Sequence, residues 1–236
     1  MISLSLIQQP NKNHVQRVLL SEHDESLFWG KADYVPEFYG TISRRIEAEV
    51  AEAYDRLSCT IAAEDPVANL ENYKRYLAMQ FGFQIQIEPL YFDPVIRRTC
   101  LALSGKGHAE LIRLDLSELK WRMASGIYAK PNLPGGLMQR LGWLFVAGLF
   151  QRDTKSLLNL AKNLQLDEKF GARYATANSN LAEQRWAELT TVLDGLNVSE
   201  VEEERIYSGA RSALSFAGKE ATAAFDENIR QLLLMG

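Results

Sequence analysis

The sequence contains few of the residues that build metal centres and disulfide frameworks. Its 236 residues include two cysteines and three histidines. The cysteines, Cys59 and Cys100, are far apart and belong to no CxxC pair, so the usual ligand spacing of a structural zinc site is missing. Disulfides are rare in reducing compartments. We therefore expect both residues to be reduced thiols in the core of a cytoplasmic protein.

Excess charge of one sign and membrane-length apolar runs are also missing. The net charge is -4 and the charged residues are mixed along the chain, unlike the basic surface of a nucleic-acid-binding protein. The apolar run 141–150 is well short of the ~20 residues that span a bilayer. The first residues lack the basic segment, apolar core and cleavage site of a signal peptide. These features predict a cytoplasmic protein that binds neither nucleic acid nor membranes.

The familiar catalytic motifs are absent as well. There is no P-loop, Rossmann fingerprint or GxSxG sequence, and no Glu-x-x-His pair of the kind that holds two irons in a helical bundle. None of the histidines His14, His23 and His108 falls on a core-facing helical stripe, so we interpret them as surface residues. We interpret one acidic cluster as a solvated helix face: Glu47, Glu49, Glu52 and Asp55.

Helical periodicity dominates the chain from residue 41 onward. The first helix begins near Thr41, and its inward stripe has three- and four-residue spacing: Ile42, Ile46, Val50, Tyr54, Leu57 and Ile61. Helix-start signals and periodicity predict further helices at 65–87, 93–103, 109–120, 137–164, 181–193 and 199–235. Residues 41–236 are thus expected to form an all-α bundle of seven or eight helices. Glycines 209 and 218 should allow close packing of the last helix.

Residues 1–40 have a different pattern from the rest of the chain. Ile2, Leu4 and Leu6 alternate with polar residues, which suits a short strand or an extended arm. Pro10, Gly30 and Pro36 interrupt any regular element. We expect an irregular N-terminal extension that packs on the helical body, or one that contacts a protein partner or a second copy of the chain.

Two features leave alternatives open on residue chemistry alone. The apolar run 141–150 continues into Gln-Arg-Asp-Thr-Lys without a proline or turn cluster. This pattern indicates either a buried helix with a polar tail or a helix that bends over a ligand.

Tyr54 lies on an apolar stripe, where its hydroxyl needs a partner. It is either a core tyrosine with a satisfied hydroxyl or an axial ligand to a haem iron, a role that tyrosine can serve.

Six short stretches share their order and spacing with a known family. They are ISRRIEAEVAEAYD (42–55), ENYKRYLAMQFGF (71–83), LIRLDLSEL (111–119), LGWLFVAG (141–148), FGARY (170–174) and GARSALSF (209–216). Together they resemble the bacterial biliverdin-producing haem oxygenases over residues of about 40–230. The resemblance implies a haem-oxygenase-like multi-helical bundle that holds haem between two helices.

The same resemblance implies substitutions at the haem site. The position of the proximal histidine that binds the iron is Tyr54, and a basic residue that contacts the haem propionates is replaced by Glu47. On the distal helix, a glutamate of the family corresponds to Gly148. Two distal glycines correspond to Leu149 and Asp153. These positions are the expected equivalents of the haem pocket, with Tyr54 as the candidate iron ligand.

These substitutions predict an altered pocket. The family's distal glycines let the helix bend and bring its backbone close to haem, whereas Leu149 and Phe150 add bulk and helix propensity. We expect a straighter helix in which one of them occupies the space that relatives give to haem. A tyrosine near haem is replaced by Ala217.

The resemblance and its departures favour a protein that has lost haem turnover and acts as a binding, regulatory or interaction module. The alternatives are a divergent haem oxygenase, which cleaves haem to biliverdin, iron and CO, and a carrier of haem or another tetrapyrrole. Both alternatives use Tyr54 as the axial ligand.

Overall fold

The fold confirms the expected all-α architecture. A computed structural model describes residues 40–66, 68–99, 107–121, 135–179 and 181–226. The described helices are α1 (Ile42–Ala63), α2 (Leu70–Phe92), α3 (Pro94–Thr99), α4 (Ala109–Glu118), α5 (Leu137–Asn163), α6 (Arg173–Ser179), α7 (Ala182–Asp194) and α8 (Glu200–Phe225). In these ranges the only β-type pairing is an isolated bridge between Asp167 and Gly171. None of these helices is long and apolar enough to cross a membrane. The predicted extension, 1–40, lies outside the described residues except for Gly40.

Helix α1 follows the predicted apolar stripe. Four stripe residues are buried, Ile42, Ile46, Val50 and Leu57, and Tyr54 and Ile61 are half-buried against the same core. The sequence-based expectation for Cys59 was wrong, because this free thiol is exposed on α1 rather than buried. It lies two residues after Leu57, which places it about 200° around the helix from that core residue. Cys100 is outside the described residues.

Helix α2 begins four residues later than the Asp65-Pro66 signal predicted. Its N-cap is Asn69, whose side chain accepts the N–H of Asn72 at 2.9 Å. Asp65 has a positive φ of 43°, a left-handed conformation that cannot continue into an α-helix. The capping asparagine therefore determines the start.

Two other predicted starts are confirmed by side-chain caps. The Asp93 carboxylate accepts the N–H groups of Val95 and Ile96 at the start of α3. Ser199 and Glu202 form the reciprocal capping box at the start of α8. The predicted end of α3, Leu103, lies outside the described residues. The predicted run of the last helix to Met235 was wrong, because α8 ends at Phe225 and the backbone of its C-cap, Asp226, is extended.

Helix α6 was not predicted from the sequence. It has seven residues, and its first backbone N–H groups are bound from α4. The carboxylate of Asp115 accepts the N–H of Arg173 at 3.1 Å and that of Tyr174 at 3.0 Å. Burial raises the pKa of the Asp115 carboxyl, although these N–H donors act against that rise. Because the cap comes from a distant residue, the local sequence carries no start signal for α6.

Helix α5 lies at the centre of the bundle and packs most extensively on α8, and also on α6 and α7. Gly209 allows the closest approach, since a Cβ added there would lie 2.1 Å from the backbone oxygen of Gln139. The expectation for Gly209 as a packing glycine is thus confirmed. The same expectation for Gly218 was wrong, because an added Cβ meets nothing within 4 Å.

The two glycines give a matched pair of substitutions on one helix. Gly209→Ala should destabilise the protein by about 1–3 kcal/mol, because a methyl group is forced against backbone atoms that cannot move aside independently. Gly218→Ala should be neutral or stabilising by up to about 1 kcal/mol, since alanine is the better helix former. Urea unfolding of both variants checks this, and equal effects would contradict the α5–α8 contact.

A carboxyl group is half-buried where α2 meets α8. Glu220 lies over Gly82, where an added Cβ would fall 1.8 Å from the carboxylate oxygen Oε2. Burial raises the pKa of Glu220 above its ordinary value of 4.5. The folded protein thus holds this proton more tightly than the unfolded chain does, so the contribution of Glu220 becomes less favourable as the pH rises through its folded pKa.

Glu220→Gln should therefore raise the thermal unfolding midpoint at pH 7, because the amide keeps the shape and carries no charge to desolvate. The gain should shrink as the pH falls and disappear below about pH 4, where the carboxyl is protonated in both states. Thermal unfolding followed by circular dichroism across this range measures the difference. A gain that is the same at pH 4 and pH 7 would exclude ionisation as its cause.

Candidate functional site

The first half of α1 is fixed against the bundle by polar contacts at its N-terminal end. The backbone N–H and hydroxyl of Ser43 bind the carboxylate of Asp194 in α7 at 2.8 and 3.0 Å. Arg45 binds the carboxylate of Glu203 in α8 through two nitrogens, at 2.6 and 2.8 Å. This ion pair lowers the pKa of Glu203. The contacts hold Glu47 and Tyr54, further along α1, in a defined register.

The apolar run 141–150 and the polar residues that follow it belong to one unbroken helix, α5. It is a single α-helix from Leu137 to Asn163, and this range includes positions 149 and 153, where the family resemblance implies glycines. An unbroken helix here agrees with the expectation from Leu149 and Phe150. Both side chains are buried, with exposures of 6% and 5%.

An aromatic contact joins α1 to α5. The ring centroids of Tyr54 and Phe150 are 5.8 Å apart, with the ring planes inclined by 38°. Phe150 also meets Phe83 of α2 edge-to-face at 5.0 Å. The row continues from Phe83 to Trp143 at 6.0 Å and from Trp143 to Phe216 of α8 at 5.7 Å. Phe150 is thus held from two sides by aromatic neighbours, a geometry that favours a fixed ring position.

An ion pair joins the same two helices on another side of α5. An Arg152 nitrogen lies 3.7 Å from a carboxylate oxygen of Glu47, and the guanidinium carbon is 4.8 Å from the centre of the Trp186 ring in α7. Phe150 and Arg152 project about 200° apart around α5. They therefore flank the helix face that carries Leu149. We call the space between these contacts the α1–α5 cleft, bounded by Glu47, Tyr54, Leu149, Phe150 and Arg152.

The residues expected to form the haem pocket do not all face the same space. Tyr54 lies in the cleft and Leu149 lies on the α5 face between its two side-chain contacts. Gly148 instead faces α7, since an added Cβ would lie 3.0 Å from the Trp186 ring and 3.2 Å from Leu189. Asp153 belongs to the same helix, but its side chain is outside the described part. Ala217 is buried in α8.

Haem does not fit between Tyr54 and α5 in this arrangement. Aromatic rings in direct contact have centroids about 4.5–7 Å apart, so the 5.8 Å distance between Tyr54 and Phe150 leaves no space for a porphyrin between these two rings. Leu149 is buried on the adjacent face. Glu47 adds a carboxylate to this side of α1, which would repel the carboxylates of a porphyrin. The residues present match neither the size nor the charge of the group.

A layer of buried polar side chains lies beside the aromatic row. The hydroxyl of Tyr174 donates to Gln80 at 3.2 Å, and Gln151 of α5 donates to the hydroxyl of Tyr91 at 3.3 Å. His108 lies between the two tyrosines, with its ring edge-to-face at 5.8 Å from Tyr91 and 6.1 Å from Tyr174. The interpretation of His108 as a surface residue was wrong, because it is 4% exposed. His14 and His23 lie outside the described residues.

Burial determines the protonation of this layer. It raises the pKa of Tyr91 and Tyr174 above the ordinary value of 10, so both phenols keep their protons at neutral pH. The layer was not predicted from the sequence, because its glutamines and tyrosines occupy positions that a helical pattern counts simply as inward-facing. Gln80, Gln84 and Gln151 are nonetheless buried. Within the described ranges, no group of three or more His, Cys, Asp or Glu residues could hold a metal ion.

The comparisons with known proteins agree with this fold. No protein-family model matches the chain. The chain is 30% identical over 176 residues to Heme oxygenase PigA of Pseudomonas aeruginosa, an alignment that covers 75% of this chain and 89% of the relative. It also resembles the crystal structure of the NO- and CO-bound heme oxygenase from Neisseria meningitidis, with a TM-score of 0.72 and 21% identity. That match covers 79% of this chain and 93% of the other.

Identity at this level over most of both chains defines the class of protein. The chain belongs to the haem oxygenase family. The similarity to the Neisseria structure shows the shared helical fold. Neither match determines what the α1–α5 cleft of this chain does, because function depends on the particular residues that a fold presents at its site.

The contact between Tyr54 and Phe150 should appear as an energetic coupling. In a double-mutant cycle of Tyr54→Leu and Phe150→Leu, we expect the two losses of stability to be non-additive by about 0.5–1.5 kcal/mol, the usual value for an aromatic pair. Urea unfolding of the wild type, both single variants and the double variant supplies the coupling energy.

Phe145 provides the control for this cycle. It is also buried in α5, but its ring packs on Trp186 at 5.0 Å and not on Tyr54. Tyr54→Leu and Phe145→Leu should therefore be additive within about 0.5 kcal/mol. Additivity in the Tyr54–Phe150 cycle as well would show that the two rings do not interact in solution.

Proposed function

We propose that this member of the haem oxygenase family does not turn over haem and that it acts as a binding, regulatory or interaction module. The observation that carries the proposal is the contact between Tyr54 and Phe150. A ring from the distal helix α5 lies against the residue that the resemblance places at the iron-ligand position. Haem bound between these helices would have to displace it.

The chemistry of the substituted residues supports the same conclusion. Haem oxygenation needs an iron that is reduced and binds oxygen, for which a neutral histidine ligand is better suited than an anionic tyrosinate. Glu47 brings negative charge to the cleft, where the family resemblance implies a basic residue. The unbroken α5 also lacks the glycines that would bring bare backbone close to a porphyrin.

A turnover assay tests the proposal directly. The full-length protein is incubated with haemin, a reductant and an electron donor, and the absorbance spectrum is followed. We expect no biliverdin above the rate of chemical haem degradation measured with an unrelated protein. Biliverdin formation at a rate typical of the family would contradict the proposal and favour a divergent haem oxygenase.

Haemin titration tests whether Phe150 is the obstacle. Phe150→Ala should raise the affinity for haemin at least about tenfold over wild type, because it removes the ring that lies against Tyr54. Phe145→Ala is the matched control, a similar truncation on another face of α5, and should leave the affinity unchanged. Equal affinities for wild type and Phe150→Ala would contradict a pocket closed by this ring.

The alternative of a haem or tetrapyrrole carrier rests on Tyr54, whose half-buried ring lines the cleft. It predicts tight haemin binding by the wild type and a Soret band that changes in Tyr54→Phe.

Two further predictions come from the sequence alone. One is a cytoplasmic location, and the other is a protein partner or second copy of the chain bound through residues 1–40.

A further inference from the structure

Large apolar side chains are exposed where α2 leads into α3. The Phe92 ring at the end of α2 is 54% exposed, and Val95 in α3 is 49% exposed. The two residues are three positions apart, so their Cα atoms lie within about 11 Å of each other. Neighbouring exposed apolar side chains, unlike scattered ones, mark sites of interaction. This part of the surface is therefore a candidate for contact with another molecule.

The junction between the two helices is fixed by one carboxylate. Asp93 follows α2, and its Oδ1 accepts the N–H groups of Val95 and Ile96 at 2.7 and 3.2 Å. Its Oδ2 accepts a hydrogen bond from Arg140 of α5 at 2.5 Å. Ile96 is completely buried, which anchors α3 to the core. Phe92 and Val95 are therefore presented in a defined arrangement.

A charged residue stands at each end of this surface. Glu88 precedes Phe92 by four residues in α2, and Arg98 follows Val95 by three residues in α3. Residues at these spacings share one face of a helix. In chain order the surface thus consists of a carboxylate, an aromatic ring, an aliphatic side chain and a guanidinium. We call these four residues the α2–α3 surface.

The charges of the α2–α3 surface are not neutralised by the protein's own side chains. Within the described ranges, neither Glu88 nor Arg98 makes an ion pair or a side-chain hydrogen bond. Many other arginines there do form ion pairs: Arg45, Arg56, Arg113, Arg140, Arg152, Arg173 and Arg211. Burial and the negative charge of Glu110 raise the pKa of Glu88. A cation brought close to Glu88 would therefore stabilise its charged form.

We infer that the α2–α3 surface binds a second copy of this chain about a two-fold axis, with Glu88 of each copy opposite Arg98 of the other. A two-fold contact presents the same patch twice, in opposite directions. The four residues are complementary to their own reversed order, because acid then faces base at both ends. Phe92 and Val95 of the two copies meet in the middle.

The same order of charges argues against other occupants. A uniformly acidic partner, or an anionic membrane, would attract Arg98 but would be repelled by Glu88. A uniformly basic partner would meet the opposite conflict. A second copy of the chain satisfies both ends at once.

The contact is small, so the dimer should be weak. Four side chains are far fewer than the roughly 20–30 residues that each partner contributes to a standard interface. We expect a reversible dimer with a dissociation constant on the order of 10 µM. None of the four residues borders the α1–α5 cleft, so dimerisation does not depend on the proposed loss of haem turnover.

Sedimentation equilibrium of the full-length protein measures the association. The mass should be close to the single-chain value of 26.7 kDa at about 1 µM and should approach twice that value at about 300 µM. Phe92→Ser should raise the dissociation constant at least about tenfold, because it removes the apolar contact at the axis. Arg98→Glu should do the same, because it places two carboxylates opposite each other at both ends.

Mixing two variants tests the two-fold pairing itself. Glu88→Lys alone should also weaken the dimer at least about tenfold, since two cations then face each other at both ends. In an equimolar mixture of Glu88→Lys and Arg98→Glu, a heterodimer has an acid opposite a base at both ends. The mixture should therefore dimerise within about threefold of the wild-type affinity.

Two substitutions serve as matched controls. Arg97→Glu makes the same change of charge as Arg98→Glu, but Arg97 projects about 200° around α3 from Val95. Phe170→Ser removes a ring of similar exposure, 49%, in another part of the chain. Both should leave the dissociation constant unchanged. Circular dichroism spectra and unfolding midpoints show whether each variant is folded.

Three results would overturn the inference. The first is a single-chain mass at every concentration, and the second is a dimer that Arg98→Glu weakens no more than Arg97→Glu does, as expected if residues 1–40 form it. The third is a mixture of the two folded charge variants that dimerises no more tightly than either alone. If Glu88→Lys does not fold, Phe92→Ser and Arg98→Glu compared with their controls still decide the question.

Discussion

Tyr54 of α1 and Phe150 of α5 lie in direct ring contact, and the arrangement of the neighbouring helices supports that contact. Ser43 and Arg45 fix the register of α1 against α7 and α8. The close approach of α5 to α8 at Gly209 positions α5, and Phe83 of α2 holds the Phe150 ring from a second side. These polar contacts, the backbone contact and the aromatic packing together determine where the Tyr54 and Phe150 rings lie between the two helices. That place is where the family resemblance implies a haem.

Much of the fold could be predicted because its signals are local. The stripe on α1, the length of α5 and the capping box of α8 each arise from residues within one helix, and each is confirmed. The start of α2 was mispredicted because Asn69 outcompetes Asp65 as a cap. Helix α6 was missed because its cap, Asp115, lies 58 residues before Arg173 in the sequence. Burial of His108 likewise depends on Tyr91 and Tyr174, which belong to other helices.

The candidate site could be predicted only in part, for the same physical reason. The family resemblance predicted substitutions at Tyr54, Glu47 and Leu149, and predicted that Leu149 or Phe150 would take up space. It did not reveal that Phe150 contacts Tyr54, that Arg152 lies between Glu47 and Trp186, or that Gly148 faces α7. These pairings depend on the rotation of α5 about its axis relative to α1, which tertiary packing determines. Membership of the family therefore defines the fold, while the side chains between α1 and α5 determine the chemistry available there.

The central claim is that the protein's own side chains occupy the space between α1 and α5. The most direct measurement is a crystal structure of the full-length protein grown with an excess of haemin. We predict that the Tyr54 and Phe150 rings remain in contact and that no porphyrin lies between the two helices. A porphyrin in that position, with its iron bound by the Tyr54 hydroxyl and the Phe150 ring turned away, would contradict the account.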